Sequence, residues 1–268
     1  MNMKKKKKIF IIIIFIILIL FAVFLSTFTI YKFIQKKNFE NYFLDFAQKN
    51  EEPVFKINDI TLFSSCNVKN QSASATNFTI ENLFQYTDIA LFISSYNNNL
   101  DLKNTLKQVW IENINFNTKP SLGEANLYFK SINNFAKSDY LDNEPISDKL
   151  EFSISSEDET SLDTPVLYNN LANPITLSYI NSNIKTDYTI TDVSSPITYD
   201  GSLLKRCNVP LTSISCNLSF DIFIKNNLDE EFKSSIFLDI PLENAESSIY
   251  DGKFLTEINP NSVFYRYK

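Results

Sequence analysis

The feature that most constrains this chain is an uncharged run over residues 9–30, which directly follows five lysines at residues 4–8. The run is mainly Ile, Phe and Leu, and its 22 residues would rise about 33 Å as a helix, close to the roughly 30 Å hydrocarbon core of a bilayer. Hydroxyl side chains near its far end, those of Ser26, Thr27 and Thr29, are tolerated there because each can bond to a carbonyl one turn earlier. The run therefore predicts one transmembrane helix.

The lysines also predict the orientation of that helix. Cationic flanks remain on the cytoplasmic side, and the five lysines before the run outnumber Lys32, Lys36 and Lys37 after it. We expect residues 1–8 to be a cytoplasmic basic tail and the bulk of the chain to be extracytoplasmic. This predicts a single-pass protein of the cell membrane.

A cleaved secretory signal is the alternative interpretation of the same residues. Its apolar core usually spans about 7 to 15 residues and ends at a site of small residues such as Ala-x-Ala. The core here is longer, and residues 21–30 are mostly bulky. The pattern favours an uncleaved anchor.

Residues 31–51 keep apolar side chains at helical spacing, which predicts a short helical stalk beyond the membrane. Pro53 ends this pattern, because proline disfavours a helical conformation in the residue before it. Aromatic and β-branched runs at 55–63, 89–94 and 109–116 then predict strands.

The clearest period-two alternation covers residues 214–225 and returns over 232–240, which predicts an antiparallel hairpin with a five-residue loop. One short helix is expected over 100–107. Asp-Gly pairs at 200–201 and 251–252 predict two tight hairpin turns.

A polar stretch after residue 140 suggests a boundary near residue 146. We therefore expect a β-rich module over 52–145 and an antiparallel, immunoglobulin-like β-sandwich module over 146–268, with one fused body as the alternative. The predicted fold class is mainly β, preceded by the transmembrane helix and its stalk.

Composition excludes several classes of function. The chain has no histidine and three glycines, which excludes Ser-His-Asp and Cys-His hydrolases, His-ligated zinc sites, P-loops and dinucleotide-binding fingerprints. Without the five N-terminal lysines, the net charge falls from −6 to −11, so we expect no nucleic-acid partner. The Asn, Lys and Ile bias is typical of a low-G+C bacterium.

One catalytic signature does not require histidine. Ser202-Leu-Leu-Lys205 matches the Ser-x-x-Lys of penicillin-binding enzymes, and Ser95-Tyr-Asn97 matches their Ser-x-Asn. The two motifs stand in reversed order, Lys185-Thr-Asp187 lacks the required glycine, and Ser202 is expected after a turn instead of at a helix start. A carboxylate pair of the glycosidase type stays open, since no motif marks one. We predict a non-enzymatic protein with no catalytic residues and no cofactor.

Calcium is the one metal for which the acidic residues offer candidate ligands. Glu157, Asp158, Glu159 and Asp163 are weak candidate ligands in a polar loop, without the spacing of a twelve-residue calcium loop. The alternative is a solvated acidic loop.

Cys66, Cys207 and Cys216 lie in the part expected outside the membrane, where thiols can oxidise. The short connection between Cys207 and Cys216 makes them the favoured disulfide pair. Either could pair with Cys66 instead, or all three could be small buried residues.

These observations favour a membrane-anchored binding or structural protein that contacts cell-wall polymer or a protein partner through its β modules. The alternative is a bitopic scaffold subunit of an envelope complex, such as a secretion or conjugation apparatus. The chain is rich in Tyr and Phe, and its one tryptophan is Trp110. An exposed row of tyrosine or tryptophan would suit stacking on cell-wall sugars, although aromatics on alternating strands are more often core residues.

Overall fold

The computed structural model describes residues 3–50, 53–73, 78–96, 101–137, 144–155, 165–168, 174–191, 197–241, 250, 252, 254–260 and 262–267. The chain divides into two compact units, Met1–Glu51 and Glu52–Lys268.

The first unit is one helix, α1 (Met3–Asn50). Within its described side chains, Leu18–Phe39 is long and apolar enough to cross a membrane by length and composition, and none of it is buried. A signal sequence near the N-terminus would have the same properties. The prediction of one N-terminal apolar helix is confirmed, and the helix continues without a break through most of the predicted stalk at 31–51.

The hydroxyl groups within α1 bond as the sequence predicts. Ser26 Oγ donates to the carbonyl of Ala22 at 2.9 Å, Thr29 Oγ1 donates to that of Leu25 at 2.8 Å, and Thr27 makes the same kind of bond. Each hydroxyl is satisfied within the helix, so none requires an outside partner.

The second unit, the β unit, is built almost entirely of strands. They are β1 (Phe55–Ala73), β2 (Phe78–Ser95), β3 (Leu106–Thr118), β4 (Glu124–Phe129), β5 (Lys149–Ser155), β6 (Val166–Tyr168), β7 (Ile175–Ile190), β8 (Cys216–Asn226), β9 (Glu231–Ile240), β10 (Phe254–Ile258), β11 (Ser262–Val263) and β12 (Tyr265–Arg266). Short helices are η1 (Ile132–Asn134), α2 (Ser202–Arg206) and α3 (Leu211–Ile214). The prediction of a mainly β fold is confirmed.

The strands form two sheets. The first has the order β10-β1-β2-β7-β4, with β11 also paired to β1, and the second has the order β12-β9-β8-β3-β5-β6. The pairs are antiparallel except β5 with β6, which is parallel. Each sheet contains strands from both sides of residue 146, so this predicted boundary lies inside one compact unit.

The two sheets share one apolar core. Phe55 of the first sheet contacts Phe232 of the second with ring centroids 5.5 Å apart, and Phe129 contacts Phe152 in the same way at 6.3 Å. Buried aliphatic side chains of β1, β2, β3, β8 and β9 complete this cluster. Period-two alternation produces the arrangement, because every second side chain of a strand faces the same way.

The predicted hairpin is confirmed. Its strands are β8 and β9, and Lys225 pairs with Glu231 next to the connecting turn. The helix expected over 100–107 is wrong, because Asp101 accepts hydrogen bonds from the amides of Lys103 and Asn104 and fixes a turn before β3 begins. Such local side-chain bonds compete with helix formation.

The Asp-Gly turn expected at residues 200–201 is wrong too. Asp200 Oδ1 accepts a hydrogen bond from the amide of Ser202 at 2.9 Å and starts α2, with Gly201 at a φ of −56°. Asp251 of the second pair is outside the described residues.

A buried ion pair lies on the face of the first sheet that points away from the shared core. The Asp88 carboxylate lies 2.8 Å from Lys130 Nζ and also accepts hydrogen bonds from Ser178 Oγ and the Ala136 amide, both at 2.6 Å. Burial raises the pKa of the Asp88 carboxyl, and Lys130 and the hydrogen bonds oppose that rise. The pair fixes the 130–137 segment against β2 and β7.

We expect Lys130→Met to destabilise the β unit by about 3–5 kcal/mol, because it leaves the Asp88 carboxylate buried without its cation. The double variant Asp88→Leu/Lys130→Met should lose less, since no uncompensated charge remains. Urea unfolding of residues 52–268 measures both free energies.

The pH dependence gives a second readout. Without Lys130 the pKa of Asp88 in the folded protein lies further above its unfolded value, so the folded state binds a proton more tightly and the loss should shrink as pH falls. If Lys130→Met lowered the free energy of unfolding by no more than the double variant does, the result would contradict a buried, uncompensated Asp88 carboxylate.

Candidate functional site

A groove of about 450 Å³ lies along the free edge of the second sheet. One wall is formed by residues of β9. The other is formed by residues of β1, β10 and β11 and by Pro260 between the last two, at the adjacent edge of the first sheet. The lining residues are Ile60, Ser235, Ile236, Phe237, Leu238, Asp239, Ile258, Pro260 and Ser262.

Most of β9 has a strand on one side only. β12 pairs with residues 232–233, and no strand among the described residues pairs with 234–240 on the side away from β8. The Tyr267 amide donates to the carbonyl of Glu231 at 2.6 Å, so that carbonyl points away from β8. The β8–β9 register is unbroken, and alternate residues therefore direct their main-chain amides and carbonyls to the open edge. These are Ser235, Phe237 and Asp239.

The side chains of β9 alternate between core and surface. Ile236 and Leu238 are buried in the shared core, whereas Phe237 between them is 71% exposed. No other large apolar side chain described in the β unit is as exposed. What distinguishes this exposed ring is its place on an edge strand with unpaired main-chain groups, where an added strand would cover part of it.

Asp239 is the charged residue of the groove lining, and it accepts a hydrogen bond from Asn217 Nδ2. On the same face, Asp221 binds Lys233 Nζ at 2.8 Å and accepts from Ser235 Oγ at 2.5 Å. The edge thus has the Asp221–Lys233 ion pair near one end of its free part and the Asp239 carboxylate near the other.

This arrangement can bind an extended polypeptide. Unpaired main-chain donors and acceptors along one strand form a template for another strand, and the apolar walls can bury its side chains. The groove has no histidine, cysteine, lysine or arginine in its lining, and only one carboxylate. The described part of the chain also has no group of three or more side chains that could hold a metal ion.

The sequence-predicted calcium ligands fall in a segment that the structure does not describe. Glu157, Asp158, Glu159 and Asp163 all lie outside the described residues. The calcium hypothesis therefore stays a prediction.

The three cysteines are free thiols. Cys207 lies at the end of α2 and packs with the fully buried Cys66 in a second apolar cluster, whereas Cys216 opens β8 in the shared core beside Tyr179. The structure thus has no disulfide between Cys207 and Cys216, because the α2–α3 connection directs them into different clusters. Burial raises the pKa of all three thiols.

Ser202 does open a helix, contrary to the expectation from sequence. Its hydroxyl donates to Asp200 Oδ1 at 2.6 Å, an ordinary helix-start contact. No general base of the penicillin-binding type contacts it among the residues that the structure describes. The reversed motif order and the missing glycine still argue against that chemistry.

Trp110 does not offer a surface for sugar stacking. It is 9% exposed, stacks on Phe223 with ring centroids 5.2 Å apart, and has Lys149 Nζ 5.0 Å from its centroid. Its ring faces are thus occupied by protein.

The sequence reasoning missed the groove. One wall includes β1, which is far in the chain from β9 and β10, and no local pattern joins these strands. One signal was present: Phe237 occupies a surface position in the alternation of β9.

No protein-family model matches the chain, and no curated protein or solved structure shows significant similarity to it.

Thiol alkylation of the folded β unit should modify Cys207 first, because Cys66 and Cys216 are buried and only Cys207 is half-buried. Mass spectrometry after brief iodoacetamide treatment measures the order, and unfolded protein serves as the control in which all three react. A linked peptide joining Cys207 to Cys216 would contradict the separation described above.

Phe237→Lys should change the free energy of unfolding by no more than about 0.5 kcal/mol, because the ring is mostly exposed. Leu238→Ala, one residue further along β9, should cost about 2–5 kcal/mol because it opens a cavity in the shared core. Urea unfolding measures both. Equal losses would show that Phe237 belongs to the core.

Proposed function

We propose that this chain is a membrane-anchored, extracytoplasmic binding or structural protein of a low-G+C bacterium, without catalytic activity. The observation that carries the proposal is the groove beside the free edge of β9, with the exposed Phe237 ring on that edge. The single apolar helix before the β unit supplies the anchor. In this proposal the five N-terminal lysines keep the N-terminus in the cytoplasm.

The chemistry of the edge favours a protein partner over a cell-wall polymer. Main-chain amides and carbonyls at the spacing of a strand match another polypeptide, and a sugar polymer has no group with that repeat. Sugar binding would instead favour several exposed aromatic faces in a row, whereas the groove lining has one aromatic ring, that of Phe237, and the Trp110 ring is covered.

We propose further that the two sheets form an immunoglobulin-like sandwich. The shared core and the antiparallel hairpin of β8 and β9 support this assignment. A sandwich can bind a partner through the loops at its ends, through the outer faces of its sheets or through their lateral edges. The groove lies at a lateral edge, so binding there would extend a sheet.

The second candidate function is a bitopic scaffold subunit of an envelope complex, such as a secretion or conjugation apparatus. The unbroken 48-residue helix favours it, because that helix is much longer than a bilayer crossing requires. A scaffold that assembles through its helix should fail when an unrelated transmembrane helix replaces residues 9–30. A protein that only displays its β unit should tolerate that exchange.

Photo-crosslinking in the native membrane tests the proposed function. A benzophenone amino acid at position 237 of the full-length chain should give defined protein adducts, because the ring lies beside the open edge. The matched control is the same amino acid at Leu228, which is also exposed but lies in the β8–β9 turn. Identical adducts from both positions, or none from position 237, would contradict a binding role for the groove.

A further inference from the structure

We infer that the open edge of β9 pairs with the same edge of a second copy of this chain, around a two-fold axis at Phe237. The inference rests on the proposed function, because it names the partner of the same groove.

The free part of β9 has two defined ends. β12 covers residues 232–233, and Pro241 has no amide with which to continue a ladder. With respect to the residues that the structure describes, the free part is therefore 234–240, and Phe237 is its middle residue. A strand whose open part is bounded in this way can pair symmetrically with itself.

Hydrogen-bond geometry selects the register. With Phe237 opposite its own copy, Ser235 faces Asp239 of the second chain. All three residues whose main-chain amides and carbonyls point to the open edge then form hydrogen bonds on both strands. Each of these directly opposed pairs exchanges two main-chain hydrogen bonds. A two-fold centred on Ile236 would place Asp239 against Lys233, where β12 already covers the edge, and a two-fold centred on Leu238 would place Ser235 against Pro241. Both shifts lose hydrogen bonds.

The side chains agree with that register. The two Phe237 rings become neighbours on the outer face, which covers the most exposed large apolar side chain described in the β unit. Asp239 faces the uncharged Ser235 of the second copy and is diagonal to its Lys233, so no like charges are opposed. The inward residues of the added strand continue the core side of the sheet.

The membrane anchor makes so short an interface effective. Seven residues from each copy bury less surface than a standard stable complex, so the pairing of free β units is weak. Two copies in one membrane are held at a high effective concentration, and the same contact then suffices.

Cysteine crosslinking of the full-length chain in its membrane tests the register. Phe237→Cys should form a disulfide-linked dimer under mild oxidation with diamide, because directly opposed residues are within disulfide distance. Ser235→Cys mixed with Asp239→Cys in one membrane should form the mixed dimer, and Ser235→Cys alone should form little. The controls are the unaltered chain, whose native thiols set the background, and Leu228→Cys in the exposed turn.

A crosslink yield for Phe237→Cys no higher than for Leu228→Cys would overturn the inference, as would equal yields for Ser235→Cys alone and in the mixture. Loss of the native dimer in Phe237→Lys, measured with a lysine-independent crosslinker, should accompany the positive result. Photo-adducts from position 237 with a different protein and not with this chain would overturn self-pairing while supporting the proposed function. Adducts with neither would overturn both.

Discussion

The packing of two sheets on one apolar core is the constraint on which the rest of the β unit depends. Because strand side chains alternate, a slip of one residue would exchange the buried and exposed faces of a whole strand. In β9, Ile236 and Leu238 can enter the core only if Phe237 faces outward. The exposure of that ring is thus a consequence of the register that the core imposes.

The same alternation has a different outcome in the first sheet. There the face that points away from the shared core is also covered. The segment that follows β4 packs on it, and Lys130 of that segment forms a buried ion pair with Asp88 of β2. These contacts hold the segment in place, because Asp88 binds both the Lys130 ammonium and the Ala136 amide. The second sheet has no comparable cover over β9 in the described residues, and its edge remains accessible.

Sequence patterns within one segment predicted the elements that form through interactions within that segment. The alternation over 214–225 and 232–240 predicted the hairpin of β8 and β9, and the apolar run predicted α1. Side-chain competition was harder to predict: Asp200 starts a helix where a turn was expected, since an aspartate can serve either structure. The surroundings of the three cysteines and the groove depend on which distant segments become neighbours, and no short window of a single sequence encodes this.

The limits of the open edge explain how an accessible strand avoids uncontrolled association. An unprotected edge can add strands without end when each new strand presents a further free side. In β9 one side is already occupied by β8, and the remaining side is closed at its two ends by β12 and Pro241. A second copy that pairs there uses its own only free side, so the assembly closes after two chains. The covering strand and the proline therefore restrict binding at this edge to one short partner strand, and a two-fold pair satisfies both edges at once.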